Sequence, residues 1–189
     1  VQHLPEQHDT LSQALDLRVD LHGALHMLGE SRQSFAYLRQ AETLAERLGD
    51  QRRLCESYRA MTHKCWVLGA YDDAIAYSQR ALALAAASGD VFEQALVNSL
   101  LGTVYASLGD YRNAMDVLRR SIASLEDKLL YKRFGTIIAS VRARDWVVDC
   151  LRELGEFAEG RACAAAADRW LMGETALPAP IAPTSRPLV

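Results

Sequence analysis

No proline lies between residues 6 and 177 of this 189-residue chain. Proline removes a backbone donor and breaks helices, so its absence leaves the whole interior free to be helical. No stretch alternates apolar and polar residues between hairpin signals, so essentially no sheet is expected. No apolar run approaches the ~18 residues of a membrane span, and no signal peptide is recognisable. Cys55, Cys65, Cys150 and Cys163 lack the C-x-x-C spacing of a metal site, and each falls among apolar helical neighbours. They read as buried free thiols, which suits a reducing cytoplasm. Lysine occurs only at Lys64, Lys128 and Lys132, and the formal charge is -3 with acids and bases interspersed. A phosphate backbone needs a concentrated basic face, so nucleic acid is not expected as a main partner. Half of the residues are hydrophobic, enough to bury a core and to exclude global disorder.

What is present is regular punctuation. Gly29, Gly49, Gly69, Gly89 and Gly109 are spaced by 20 residues, and Gly155 continues the series late. Leu28, Leu48, Leu68, Leu108 and Leu154 precede five of the six, and Glu30, Asp50, Asp90, Asp110 and Glu156 follow five. Glycine tolerates the left-handed conformation that ends a helix, and the acid after it can cap the next. Asp90 with Glu93 has the form of a capping box. Between these marks, Tyr71, Ala74, Ile75, Ala81, Leu82 and Ala85 recur at helical intervals, and Tyr111, Ala114, Val117, Leu118 and Ile122 repeat the device. The spacing predicts helices over 10–28, 31–48, 51–68, 71–88, 91–108, 111–127, 135–154 and 157–172. Residues 1–9 read as a frayed segment, and the proline-rich 174–189 as a disordered tail. The chain opens on Val1, which reads as an excerpt of a longer protein.

A repeat of about 40 residues runs from Leu28-Gly29 to Leu68-Gly69 to Leu108-Gly109, then to Leu154-Gly155 six residues late. Helix pairs repeated in this way stack in one dimension. Leu101, Gly102, Tyr105, Gly109, Tyr111 and Ala114 resemble the tetratricopeptide repeat pattern, with Asn98 at the place of its tryptophan. The second pair keeps Gly69, Tyr71, Ala74, Ala81 and Leu82, with Thr62 where the tight glycine belongs. The first keeps Leu21, Gly29 and Ala41 with Ser34 for the alanine, and the fourth keeps Gly155, Phe157 and Ala167 with Gly160 for it. The resemblance covers residues 10–173 and implies an all-α, right-handed α–α superhelix of four pairs, about 10–48, 51–88, 91–128 and 135–172. The phrases QRALALAAASGD, LGDYRNAMDVLRRSIASLE and LRELGEFAEG also resemble the C-terminal repeat regions of large bacterial proteins. Those proteins couple an ATPase, a class III nucleotide cyclase or a DNA-binding regulator domain to a helical sensor. None of those catalytic parts is found here; there is no G-x-x-x-x-G-K-[ST] phosphate loop.

The resemblance implies a concave face lined by the first helix of each pair and open to a peptide or domain. Counting back from the turn glycines places Asp16, Val19, Gly23 and His26 on it from the first pair, and Glu56, Arg59, His63 and Trp66 from the second. Leu96, Ser99, Thr103 and Ala106 follow from the third, and Arg142, Asp145, Asp149 and Arg152 from the fourth. Arg59, His63 and Trp66 share one face with the composition of a binding hot spot. The alternative for Trp66 is packing between adjacent pairs.

His22 and His26 have a metal-compatible H-x-x-x-H spacing but no third ligand in sequence. Cys65 and His63 point to opposite sides of their helix, so they make no nucleophile and base. Residues 126–135 stretch the pitch to 46. They read either as a longer helix covering the core edge or as a docking loop carrying Tyr131, Lys132, Arg133 and Phe134. The last helix, with Cys163, Ala164, Ala167 and Trp170, is poorly suited to face solvent. The function expected is a non-catalytic protein-interaction or scaffold module of a bacterial signalling protein, cytoplasmic, without cofactor or metal. The alternative is an oligomerisation module that self-associates as a homodimer.

Overall fold

A computed structural model describes residues 8–125, 129, 131–134 and 137–171. Residues 1–7, the greater part of the predicted frayed segment 1–9, and residues 172–189, which include the predicted proline-rich tail 174–189, lie outside the described residues. Eight helices follow one another among those described: α1 (His8–Met27), α2 (Ser31–Leu48), α3 (Gln51–Val67), α4 (Tyr71–Ser88), α5 (Val91–Ser107), α6 (Tyr111–Ser124), α7 (Ala139–Glu153) and α8 (Phe157–Leu171). They pack as antiparallel pairs in a helical solenoid, each pair against the next. None of the described helices is long and apolar enough to cross a membrane.

The six turn glycines all take positive φ, between 65° and 78°. Each turn closes with the same pair of bonds: Gly89 N–H donates to the Ala86 carbonyl and Asp90 N–H to the Ala85 carbonyl. The free carbonyls of a helix end are satisfied in this way, and a side chain bearing Cβ would resist the backbone angle. Asp50, Asp90 and Asp110 then accept from the amides of Arg53, Glu93 and Asn113 at 3.0, 2.9 and 3.3 Å. Glu30 makes no such cap, its chain being one methylene longer. The capping box at Asp90 is half formed, because the Glu93 carboxylate is taken by Arg59 of α3.

Helices within a pair interlock by volume. In α5/α6 a Cβ on Gly102 would sit 2.5 Å from Leu118 Cγ, so glycine there is what lets Leu118 seat. In α3/α4 the arrangement is inverted. Thr62 fills the glycine's place, and Ser78 stands where leucine would be, its Oγ 3.3 Å from Thr62 Oγ1. In α1/α2 the same place holds His22, whose Nδ1 lies 2.8 Å from Ser34 Oγ.

The core is a string of clusters along the stack. Leu15, Leu38, Leu54, Tyr58 and Met61 anchor the first half, and Leu118, Ile122, Val147, Cys150 and Leu151 the second. Cys65–Ala74–Val104 and Ala95–Leu125–Ala139 join them. At the α1 end Met27 and Leu28 are 85% and 75% exposed. In α8, Cys163 is buried and Ala164 half-buried, while the side chains of Ala167 and Trp170 lie outside the described residues.

One expectation is corrected. α6 stops at Ser124, and α7 begins only at Ala139. Between them, β1 (Arg133–Phe134) pairs antiparallel with β2 (Ile137–Ile138), in register Arg133 to Ile138. The extra residues are therefore neither a longer helix nor wholly free of sheet. Leu129 packs against the Ala95–Leu125–Ala139 cluster, and the Lys132 ammonium lies 3.9 Å from the Phe92 ring centre, which pins the segment to the start of α5.

Candidate functional site

The 40-residue pitch places α1, α3, α5 and α7 side by side on one face, and ion pairs tie neighbours together across it. Arg53 of α3 binds Asp16 of α1 at 2.9 Å, and Arg59 of α3 binds Glu93 of α5. Between these helices lies a cavity of about 320 Å³. That volume is at the lower end for pockets that enclose a ligand or side chain. His26, Arg59, His63, Ser99 and Arg142, all placed on the concave face by the repeat spacing, line it together with Leu96. His22, Ala60, Leu100 and Ala139 also line it and were not foreseen as groove residues. Ala60 and Leu100 sit at equivalent places in successive repeats, one residue beyond Arg59 and Ser99, a signal that was there to be read.

The electrostatics of the cavity are one-sided. Its lining carries three histidines and two arginines and no carboxylate. Lys64 stands beside it, 1% exposed, with its Nζ 3.1 Å from His26 Nδ1. An ammonium can only donate, so against it His26 Nδ1 is the acceptor. Burial lowers the Lys64 pKa. Burial, reinforced by His26, Arg142, Lys64 and His22, holds His63 down at about 4. Burial also lowers His22, and Lys64 and His26 add to the effect against an opposing hydrogen bond from Ser34. Burial and the neighbouring cations thus both favour the neutral rings of His22 and His63.

The rings form a continuous ladder. His22 stacks on His26 at 6.2 Å, His26 meets His63 edge-on at 5.3 Å, and His63 meets Trp66 at 5.5 Å. Trp66 then reaches over α5 to Trp146 of α7, edge-on at 6.1 Å, and donates its Nε1–H to Ser107 Oγ at 2.8 Å. Trp66 also packs against Cys65, Ala74 and Val104, between adjacent pairs, and it is not among the residues that line the cavity.

The other expected groove residues are distributed differently. Asp16 and Glu56 are held in ion pairs with Arg53 and Arg52 at 2.9 and 3.0 Å. Thr103 is 1% exposed and donates to the Ser99 carbonyl, so it faces the packed interior. On α7, partial desolvation, then Asp149, raises Asp145, while Asp149 pairs with Arg152 at 3.5 Å. In the inserted segment Tyr131 and Arg133 are exposed, and the Phe134 side chain lies outside the described residues.

Burial pushes the Cys55 thiol up to about 12 and those of Cys65 and Cys150 to about 11. All four cysteines are buried and free. Among the described residues no group of three histidines, cysteines or carboxylates is placed to hold a metal ion.

Comparison with known proteins agrees with this architecture. Residues 60–127 match the tetratricopeptide repeat family, a stretch from mid-α3 to just beyond α6. The crystal structure of BtubC (BKLC) from P. vanneervenii superposes with a TM-score of 0.74, over 100% of this chain and 74% of that one. At 17% identity this likeness is one of fold. A stretch of 31 residues is 71% identical to part of the glutamate synthase [NADPH] small chain of Mycobacterium tuberculosis. It covers 16% of this chain and 6% of that protein, too little to carry an activity across.

Proposed function

We propose that this array of tetratricopeptide-type helix pairs is a non-catalytic interaction module that holds a polypeptide segment along α1, α3, α5 and α7. Tetratricopeptide repeats generally mediate protein–protein interaction. The observation that carries the reading is the cavity lined by all four first helices, with apolar Leu96 and Leu100 beside Arg59, His63 and Arg142. A preformed surface of this kind does not have to be ordered on binding, which favours affinity. On this reading the parent is a larger bacterial regulatory protein acting in the cytoplasm, and the module needs no cofactor.

The test is to pan a random twelve-residue peptide library on the intact chain and on two folded variants. Leu96→Trp fills the cavity, and Gln79→Trp alters an exposed position on α4. Peptides that bind the wild type and Gln79→Trp but not Leu96→Trp support the groove; equal binding to all three refutes it.

A second reading, self-association, is supported by the exposed Met27, Leu28, Val67 and Leu68 at neighbouring turns. Light scattering decides it. A monomer across concentrations removes this reading, and a dimer that Leu28→Glu dissociates establishes it.

A further inference from the structure

The geometry points to an acidic polypeptide segment as the occupant of the groove, with a carboxylate seated among His26, His63 and Arg142. This rests on the reading of the groove as a polypeptide site and names the chemistry that the site selects.

Three observations converge. First, the cavity concentrates three of the chain's five histidines with two arginines and excludes carboxylates, although the chain as a whole carries a formal charge of -3. Second, Arg142 is half-buried at the cavity wall and makes no hydrogen bond or ion pair among the described residues. Arg53, Arg59 and Arg119, by contrast, each bridge two helices through a carboxylate. Third, Lys64 is buried with an imidazole nitrogen as the partner of its ammonium. A buried cation without an anion is costly, and a carboxylate beside His26 would offset that cost. Of the nearby acids, Glu93 is committed to Arg59 and Asp16 to Arg53, while Asp145 of α7, whose charge reaches Arg142, is exposed, forms no ion pair with it and does not line the cavity. Leu96 and Leu100 offer apolar wall to a residue flanking the acid, which favours a peptide over a free anion.

Binding of this kind takes up a proton. The groups facing His63 are His22 and His26 from α1, Lys64 and Arg59 from α3, and Arg142 from α7; on α5 the nearest acid, Glu93, is occupied by Arg59. Burial, with His26, Arg142, Lys64 and His22, keeps the His63 ring neutral. A carboxylate placed beside it reverses the local field and favours the imidazolium, so affinity rises as pH falls.

The experiment uses the peptides selected above. Asp and Glu are expected to be enriched over Lys and Arg. In fluorescence anisotropy, Arg142→Gln should weaken a selected peptide roughly 10-fold or more. Arg142→Lys should retain part of the affinity, and replacing the peptide's key acid by its amide should cost as much as Arg142→Gln without adding to it. Wild-type affinity should rise several-fold between about pH 8 and about pH 6, and His63→Gln should flatten that rise. Neutral or basic peptides that Leu96→Trp still excludes would overturn this inference and leave the groove reading standing. Peptides indifferent to Leu96→Trp would overturn both. Competition by inorganic phosphate alone as strong as by peptide would make the site one for free anions and refute the polypeptide assignment.

Discussion

Acid should unfold the wild-type chain more readily than a His63→Gln variant. Burial and the surrounding His26, Arg142, Lys64 and His22 hold the folded-state pKa of His63 at about 4, against 6.5 for the free side chain. Between those values the unfolded chain binds a proton that the folded chain refuses. The stabilisation from a neutral His63 is therefore complete above the unfolded value and is lost as pH falls from about 6.5 through about 4. The full gap corresponds to a ceiling of about 3 kcal/mol. The groove is open to solvent on one side, and screening there reduces this to roughly 1–2 kcal/mol. Urea unfolding at about pH 7 and about pH 5, on both proteins, isolates the effect from carboxylates common to the two. The wild type should lose about 1 kcal/mol more than the variant between these conditions. Equal losses would refute the placement of His63 in a cationic, partly dry groove.

Three further outcomes follow from the packing. Gly102→Thr should destabilise by about 1–3 kcal/mol in thermal unfolding, and adding Leu118→Ser should cost about 1 kcal/mol less than the sum of the two single changes. Double-mutant analysis of Arg59→Ala and Glu93→Ala in urea should give a coupling of about 1 kcal/mol, since the pair is mostly buried and ties α3 to α5. Asp90→Ala and Asp110→Ala should each lower stability by about 1 kcal/mol, whereas Glu30→Ala, which removes no cap, should leave the urea midpoint unchanged.

The helix ends were legible because glycine is the residue that reverses the chain cheaply, and here it recurs at equal intervals. Predicted and observed boundaries agree within one residue from α2 to α5. They part between Leu125 and Ala139, where no equivalent glycine marks the end of α6 and a two-residue ladder intervenes. Helical counting put His26, Arg59, His63, Ser99 and Arg142 on one face, and all five line the cavity, because repeat position fixes which way they point. Thr103 departs from the count: it is buried, where His63, its equivalent one repeat earlier, lines the cavity. His22 escaped because it occupies the place of Thr62 and Gly102, an interior position in the next two pairs. Lys64 could not have been found from sequence. Its burial depends on how the C-terminal half of α1 lies over α3, which no local pattern encodes.

The inverted fit of Thr62 with Ser78 and Gly102 with Leu118 limits how such arrays can be rearranged. A graft joining α3 to α6 would drive a threonine into a leucine, while one joining α5 to α4 would leave a hollow between glycine and serine. Recombination that cuts inside a hairpin is thus penalised, and recombination that cuts between hairpins is spared. The heritable module of this architecture is the mated couple of helices.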